Sequence, residues 1–138
     1  MILFNTEELD FSLTNEQLIQ DWVAQTIIAE EKTLGEISYI FCSDEYLHKI
    51  NLEYLQHDTY TDIITFDYTE MNVISSDVFV SIDRVKENAL TYEKAFEDEL
   101  NRVLIHGVLH LLGYKDKTDE EAKLMRSKED FYLNLLLK

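Results

Sequence analysis

One segment, residues 97 to 112, restricts the possible folds more than any other, because it predicts a helix that is apolar on nearly every side. The segment reads EDELNRVLIHGVLHLL, and Gly113 follows it. Its apolar side chains are Val103, Leu104, Ile105, Val108, Leu109, Leu111 and Leu112. A helix of this kind is buried in the centre of a domain, and a glycine after the last turn ends it. The rest of the chain must therefore pack around this helix on several sides.

The segments on either side of this helix alternate between strand and helix patterns. Runs of β-branched and aromatic residues predict strands at residues 1 to 5, 36 to 42, 61 to 68 and 75 to 83, the first as an edge strand. Capping signals predict helices from a Thr14–Gln17 box to about Lys32, from Ser43 to about Leu55, from Asp83 to about Ala95, and from a Thr118–Glu121 box to near the C-terminus. In the first of these helices, Leu18, Trp22, Ile28 and their neighbours are expected to form the apolar face, and Gly35 to stop the helical segment.

This order of elements predicts an α/β (α+β) class, in which about five helices pack with one small sheet. A chain of 138 residues is long enough to bury a substantial core. It contains no proline-rich or glycine-rich linker, since it has only three glycines and no proline. We therefore predict a single compact domain over residues 1–138.

The composition narrows the classes of protein to which the chain can belong. Cys42 is its one cysteine, so no internal disulfide can form, and no apolar run is long enough to span a bilayer. We therefore expect a soluble cytoplasmic protein without a membrane partner. The net charge of −16 opposes non-specific coating of nucleic acid, which depends on clustered Lys and Arg.

The central helix also carries a pattern that is typical of a metal site. His106 and His110 are four residues apart, so both imidazoles lie on one helix face, and Gly113 and Asp116 complete the pattern H-x-x-x-H-x-x-G-x-x-D. Zinc accepts two histidines and a carboxylate, and three protein ligands leave a fourth position for water. Gly107 occupies the position at which zinc peptidases carry their glutamate base, so the pattern predicts a metal but not proteolysis. The alternative is that the histidines are hydrogen-bonded core residues and that the aspartate belongs to a turn.

Three blocks of this sequence resemble one known family. HGVLHLLGYKD, residues 106 to 116, resembles the H-G-x-L-H-L-x-G-Y-D-H signature of the YbeY-type endoribonucleases, the rRNA maturation factors of bacteria. NLEYLQHDTYTDIITF, residues 51 to 66, is similar to that family's N-x-x-Y-R-x-x-D-x-P-T-D-V-L-S-F block. SDVFVSID, residues 76 to 83, is similar to its G-D-[IV]-x-[IV]-S strand.

The resemblance implies both a fold and an activity. The fold would have a small mixed sheet and a metal helix like that of zinc peptidases. The activity would be hydrolysis of single-stranded RNA in ribosomal RNA maturation and ribosome quality control, with one Zn²⁺ ion per chain, in the cytoplasm. His106 and His110 match the first two metal ligands of the family.

The sequence departs from the family at two positions. Asp116 stands where the third histidine ligand is usual, and an anionic ligand lowers the net positive charge of a bound ion. Leu55 stands where the family carries an arginine that suits a scissile phosphate. The candidates to replace that arginine are His57, Arg84, Arg102 and Lys115.

Four further residues have two interpretations each. Asp62 and Asp77 can orient metal ligands, but turn or cap roles at strand starts are favoured. Arg102 can contact phosphate, but an ion pair with Glu99 or Asp98 is favoured. Tyr114 either packs against the metal site or covers the helix end.

Three kinds of function remain open at this point. In the first, the ion held by His106, His110 and Asp116 lowers the pKa of a bound water and assists cleavage of RNA, by that water or by the substrate's own 2′-hydroxyl. No catalytic side chain is assigned. In the second, the protein is a non-catalytic, zinc-containing ribosome assembly factor that binds ribosomal proteins or an assembly GTPase. In the third, the protein is a metal-dependent hydrolase of another substrate, and a peptidase is the weakest option because Gly107 is not a base.

Overall fold

The sheet joins strands that are far apart in the sequence. In the computed structural model, which describes residues 1–136, these strands are β1 (Ile2–Glu7), β2 (Thr33–Cys42), β3 (Ile63–Asp67) and β4 (Val73–Ser81). Their spatial order is β1-β2-β4-β3, with β1 and β4 parallel to β2 and β3 antiparallel to β4. The mixed sheet and the edge position of β1 are therefore confirmed. Residues 137 and 138 of the predicted domain lie outside the described part of the chain.

The helices lie on both faces of this sheet. Residues 1–136 form five of them: α1 (Glu16–Ala29), α2 (Asp44–Leu55), α3 (Ile82–Thr91), α4 (Phe96–Leu111) and α5 (Asp119–Leu136). The main core joins one sheet face to α1, α4 and α5, and a smaller cluster joins the other face to α2. None of the helices in residues 1–136 is both long and apolar enough to cross a membrane.

The central position predicted for α4 is confirmed. Leu104, Ile105, Val108 and Leu109 are completely buried, and the helix contacts the sheet as well as α1, α3 and α5. The hydroxyl of Tyr39, on β2, donates a hydrogen bond to the Leu104 carbonyl at 3.1 Å. The sheet and three helices thus hold in place the element that carries both histidines.

The prediction for α1 was wrong at both ends and for two of the residues named on its buried face. Asn15, not Thr14, occupies the N-cap position, and no side chain caps the helix there. Leu18 and Ile28 are 49% and 65% exposed, whereas Ile19, Trp22, Val23 and Ile27 are buried. The face turned toward the core is therefore formed by Trp22 and by the predicted neighbours of the named residues, not by Leu18 and Ile28.

Gly35 does not stop α1, because the helix ends at Ala29 and a left-handed Glu31 reverses the chain. Gly35 lies within β2, beside the point where the pairing with β4 shifts register. A Cβ atom at this position would lie 2.3 Å from the Ser75 side chain and 2.8 Å from the Ile74 carbonyl oxygen. The glycine therefore permits close approach of two strands.

Two of the other predicted caps have different outcomes. Ser43 caps α2 as predicted, since its hydroxyl accepts a hydrogen bond from the Tyr46 amide at 3.1 Å. Asp83 does not cap α3, because the Ser81 hydroxyl accepts from the Arg84 amide and the helix begins at Ile82. That helix also ends at Thr91, before the predicted Ala95. The predicted end of β2 at Cys42 is confirmed, and the other predicted bounds of the strands and of α4 differ by one to three residues from those observed.

Candidate metal centre

The end of α4 and the turn after it bring the candidate ligands together. His106 and His110 lie one helical turn apart. Gly113 has the left-handed φ of 106°, and the Gly113 and Tyr114 amides donate to the carbonyls of His110 and Leu109. This is the glycine-terminated helix end that the sequence predicts.

The predicted capping box then opens α5, with hydrogen bonds of 3.0 and 3.1 Å between Thr118 and Glu121.

The three predicted ligands converge on one point. The Nε2 atoms of His106 and His110 are 3.0 Å apart, and Asp116 Oδ2 lies 3.4 and 3.3 Å from them. Tetrahedral zinc with bonds of about 2.0–2.2 Å holds its ligand atoms about 3.3–3.5 Å apart. The two separations to Asp116 match this range, and the separation between the two Nε2 atoms is about 0.3 Å shorter. The donor set is therefore suited to a metal ion, and among residues 1–136 it is the one group of three or more His, Cys, Asp or Glu with this arrangement.

Hydrogen bonds on the far side of each imidazole determine which nitrogen is free. His110 Nδ1 lies 3.0 Å from the Tyr114 carbonyl oxygen, which can only accept, so Nδ1 must carry the proton. His106 Nδ1 lies 2.7 Å from Glu129 Oε2 and donates to that carboxylate. In the neutral imidazoles each Nε2 then carries a lone pair, and the two Nε2 atoms lie 3.0 Å apart. Two lone-pair nitrogens at this separation repel unless a proton or a cation lies between them, so the pair can share a proton or bind a metal ion.

The partner of His106 is the buried member of a chain of charges that reaches the surface. Glu129 on α5 is 6% exposed, and its second oxygen accepts from Arg102 at 2.6 Å. Arg102 also donates to Asp130 at 2.6 Å. The prediction that Arg102 pairs with Glu99 or Asp98 was therefore wrong. The guanidinium holds the carboxylate that orients the ligand.

The pKa values of these two groups move in opposite directions. Burial opposes the charged form of Glu129, but hydrogen bonds from His106 and Arg102 outweigh it and lower the pKa of the carboxyl. Burial also opposes the charged form of His106, but the hydrogen bond and charge of Glu129 outweigh it and raise the imidazole pKa. Glu129 is thus ionised at neutral pH and acts as an acceptor.

The sequence analysis did not identify Glu129. One signal was available, because Glu129 lies between Met125 and Tyr132 at helical spacing, on the buried face of α5. An acid on such a face requires a partner. The sequence alone does not say which partner, because His106 is 23 residues away.

A cleft of about 550 Å³ opens at the three ligands, and Leu55, His57 and Asp62 also line it. Gly107 forms part of its floor, where an added Cβ would lie 2.8 Å from Ile63 Cδ1. Gly107, at the position where zinc peptidases carry a glutamate, thus allows β3 to approach α4. Burial raises the pKa of Asp62, a residue that directly precedes β3 as the turn interpretation predicts.

Three other predicted residues lie outside this cleft. Arg84 pairs with Asp44 at 2.8 Å, and Lys115 is exposed. Asp77 lies inside β4 and accepts a hydrogen bond from Tyr68 at 3.1 Å, so neither interpretation given for it was correct.

The side chain and the main chain of Tyr114 make different contacts. Its hydroxyl donates to Glu30 at 2.6 Å and so fastens the turn after α4 to the end of α1. Its backbone carbonyl, rather than its ring, contacts His110. Tyr114 therefore covers the helix end with its side chain and orients a ligand with its main chain.

Comparison with known proteins supports one family. The sequence model of the family described as Endoribonuclease YbeY matches residues 2–137. A protein named Endoribonuclease YbeY from Flavobacterium johnsoniae is 63% identical over 130 residues, which cover 94% of this chain and 93% of the relative. One of the same name from Christiangramia forsetii is 56% identical over 123 residues, 89% of this chain and 86% of the relative. The solution structure of TM1509 from Thermotoga maritima matches with a TM-score of 0.69 at 26% identity, over 99% of this chain and 89% of that one.

Proposed function

The chain belongs to the YbeY endoribonuclease family, and from this we propose that it is a metal-dependent endoribonuclease acting on single-stranded RNA in ribosomal RNA maturation and quality control. The observation that supports the metal dependence is the convergence of His106, His110 and Asp116 on one point. Hydrogen bonds at Nδ1 orient both imidazoles. The proposal includes the cytoplasm as its compartment, in line with one buried cysteine that forms no disulfide.

We assign one Zn²⁺ ion per chain to these three ligands. Two imidazole nitrogens and one carboxylate oxygen are a donor set that zinc accepts, with room left for a further ligand. When bound, the ion supplies Lewis acidity, which polarises a phosphoryl oxygen or acidifies a water molecule. The anionic Asp116 lowers the net charge of the site, so this chain supplies less of that acidity than a three-histidine site does.

The residues around the ligands hold them ready for the ion. Glu129 and the Tyr114 carbonyl keep each Nδ1 protonated, so both Nε2 atoms are free to bind. The cleft of about 550 Å³ lies within the size range of sites for ligands of nucleotide size. A cleft of this size favours an unpaired, splayed nucleotide, which is how single-stranded RNA is recognised.

The net charge of −16 must be reconciled with an RNA substrate. We expect weak non-specific binding, because phosphate attraction scales with clustered positive charge. Affinity would then be local and would depend on the bound ion. This is a reason to expect that removal of the metal abolishes binding in the cleft as well as cleavage.

Ligand variants test the proposal together with a matched acid outside the site. We expect one zinc per chain in the wild type and in Asp119→Ala, an exposed acid near Asp116. Zinc should be lost in His110→Ala and weakened in Asp116→Ala, and cleavage of single-stranded RNA should fall with it. Full activity of His110→Ala in a preparation free of contaminating nuclease would refute the mechanism.

The acidic surface favours one other function, that of a non-catalytic assembly factor that binds basic ribosomal proteins or an assembly GTPase. The zinc would then be structural. In that case ligand variants would lose stability, and the wild type would bind its partner without cleaving RNA. Elemental analysis and partner binding on the same variants distinguish the two functions.

A further inference from the structure

The cleft of about 550 Å³ at the three candidate ligands, which we call the metal-side cleft, has no arginine or lysine in its lining among residues 1–136. Asp62 and Asp116 contribute carboxylates to its lining, and position 55 is a leucine. Apart from the two histidines proposed as ligands, His57 is the one basic residue in the described part of the chain that lines this cleft. Its role depends on whether its imidazole is free to meet a substrate.

The other cations near the site are already engaged or lie elsewhere. Arg84 and Arg102 hold carboxylates at 2.8 and 2.6 Å. Lys115 is exposed and does not line the cleft. His57 is therefore the remaining candidate to contact a phosphate of the substrate or its leaving oxygen.

Backbone contacts fix the position of His57. The preceding Gln56 adopts the left-handed conformation that ends α2, with φ of 56°. The His57 amide then donates to the Asn51 carbonyl at 3.1 Å. The buried Asn51 side chain donates to the Thr59 carbonyl at 2.9 Å, on the other side of His57. The loop is thus anchored before and after this residue.

The neighbouring side chains are tied to the protein. Asp58 accepts from His48 at 2.8 Å, and the Tyr60 ring stacks on His48 with ring centres 4.2 Å apart. Thr59 accepts from Asn51 at 3.1 Å. Of residues 57–60, His57 alone has a side chain with no hydrogen-bond partner in the described part of the chain. The loop therefore holds an unengaged imidazole at the cleft.

We propose that His57 is a catalytic residue that gives a proton to the leaving oxygen of the RNA substrate. In this step a hydroxyl oxygen, from water or the ribose 2′ position, bonds to phosphorus and releases its proton to solvent. The bond between phosphorus and the 5′-oxygen breaks, and its electron pair stays on that oxygen. The imidazolium proton passes to the same oxygen, so an alcohol leaves rather than an alkoxide.

An imidazole suits this role because its ring nitrogens can carry and give up a proton, and a general acid of this kind typically contributes about 10²–10⁴-fold to a rate. The proposal rests on the proposed endoribonuclease function. It names what that function lacked, which is a protein side chain that moves a proton.

Two substrates test the proposal on zinc-loaded protein. One is a single-stranded RNA with an ordinary linkage at the cleaved position, and the other carries sulfur in place of the bridging 5′-oxygen. We expect His57→Ala and His57→Gln to cleave the oxygen substrate about 10²–10⁴-fold more slowly. The sulfur substrate should recover most of this loss, because a thiolate leaves without a proton. Zinc content should be unchanged, and Lys49→Ala, an exposed residue of α2, should match the wild type on both substrates.

Three results would overturn the role of His57. The first is wild-type cleavage of the oxygen substrate by His57→Ala. The second is an equal loss on both substrates with zinc content and circular dichroism unchanged, since a proton donor is needed for only one of them. The third is a zinc-loaded wild type that cleaves neither substrate, which would contradict the proposed function itself and this role with it.

Discussion

The two walls of the metal-side cleft are built differently. The helical wall is formed by α4, and it is supported by the completely buried Leu104 and by the buried Glu129 of α5, which orients His106. The loop wall, residues 56–62, is largely exposed and is held by side-chain contacts at the surface. The positions of the candidate metal ligands therefore depend on the core, whereas the position of the loop wall depends on exposed contacts that water weakens. We expect substitutions in the helical wall to lower stability or zinc affinity strongly. Substitutions in the loop wall should have mainly local effects.

The largest effect is expected in the centre of the helical wall. Leu104→Ala should lower the free energy of unfolding by about 2–5 kcal/mol, because it removes packing at a completely buried position. Chemical denaturation of the metal-free protein measures this loss. Leu90→Ala, at a side chain 81% exposed on α3, is the matched control and should change stability by no more than about 0.5 kcal/mol. Similar losses in the two variants would remove the contrast between core and surface.

A smaller effect is expected where the core meets the ligand. Glu129→Gln should weaken zinc binding about 10–100-fold, because the amide orients His106 without the negative charge of the carboxylate. Competition with a coloured chelator measures the affinity. Glu120→Gln, at an exposed position of the same helix, should bind as the wild type does. Unchanged affinity in Glu129→Gln would show that the outer hydrogen bond has no influence on the metal.

The third prediction concerns the contact that joins the helical wall to α1. Burial opposes the charged form of Glu30, but hydrogen bonds from Tyr114 and Tyr132 and the charge of Lys128 lower the pKa of its carboxyl below the ordinary 4.5. A lowered folded-state pKa adds stability above the unfolded value, and this stability is lost as the pH falls through the folded value. Glu30→Gln should therefore destabilise more at pH 7 than at pH 4. Denaturation of both proteins at the two pH values checks this, and an equal or larger difference at pH 4 would contradict it.

The smallest effect is expected in the loop wall. His48→Ala removes the partner of Asp58 and the ring under Tyr60, and both contacts are partly exposed. We expect a change in unfolding free energy below about 1 kcal/mol, as is usual for surface pairs. Hydrogen exchange and protease cleavage should nevertheless increase at residues 56–62. A loss of stability as large as that of Leu104→Ala would show that the loop belongs to the core.

Local features of the chain could be predicted from the sequence because helix geometry alone determines them. The burial of α4, the shared face of His106 and His110 and the turn at Gly113 all arise within one short segment. The Thr118–Glu121 box is equally local. Each depends on residues three or four positions apart, where the spacing in sequence already determines the spacing in the structure.

Apart from the misplaced caps at Thr14 and Asp83, the errors occur where distant segments decide the outcome. Periodicity alone could not determine the buried face of α1, because the face depends on how the helix docks on the sheet. Gly35 was assigned to a helix end, although a glycine is needed there because Ser75 from β4 approaches the backbone closely. Arg102 was assigned to neighbours on its own helix, although its partners are on α5.

The sequence by itself thus determined the class of the fold and the identity and spacing of the three candidate ligands. Only the tertiary structure decided how they are held: Glu129 lies 23 residues from His106 and reaches it because α5 packs against α4. The position of His57 across the same cleft also depends on the tertiary structure, through a loop anchored on Asn51. The physical reason is that a helix fixes neighbours within one turn, whereas a contact between distant segments exists only after the core that joins them has formed.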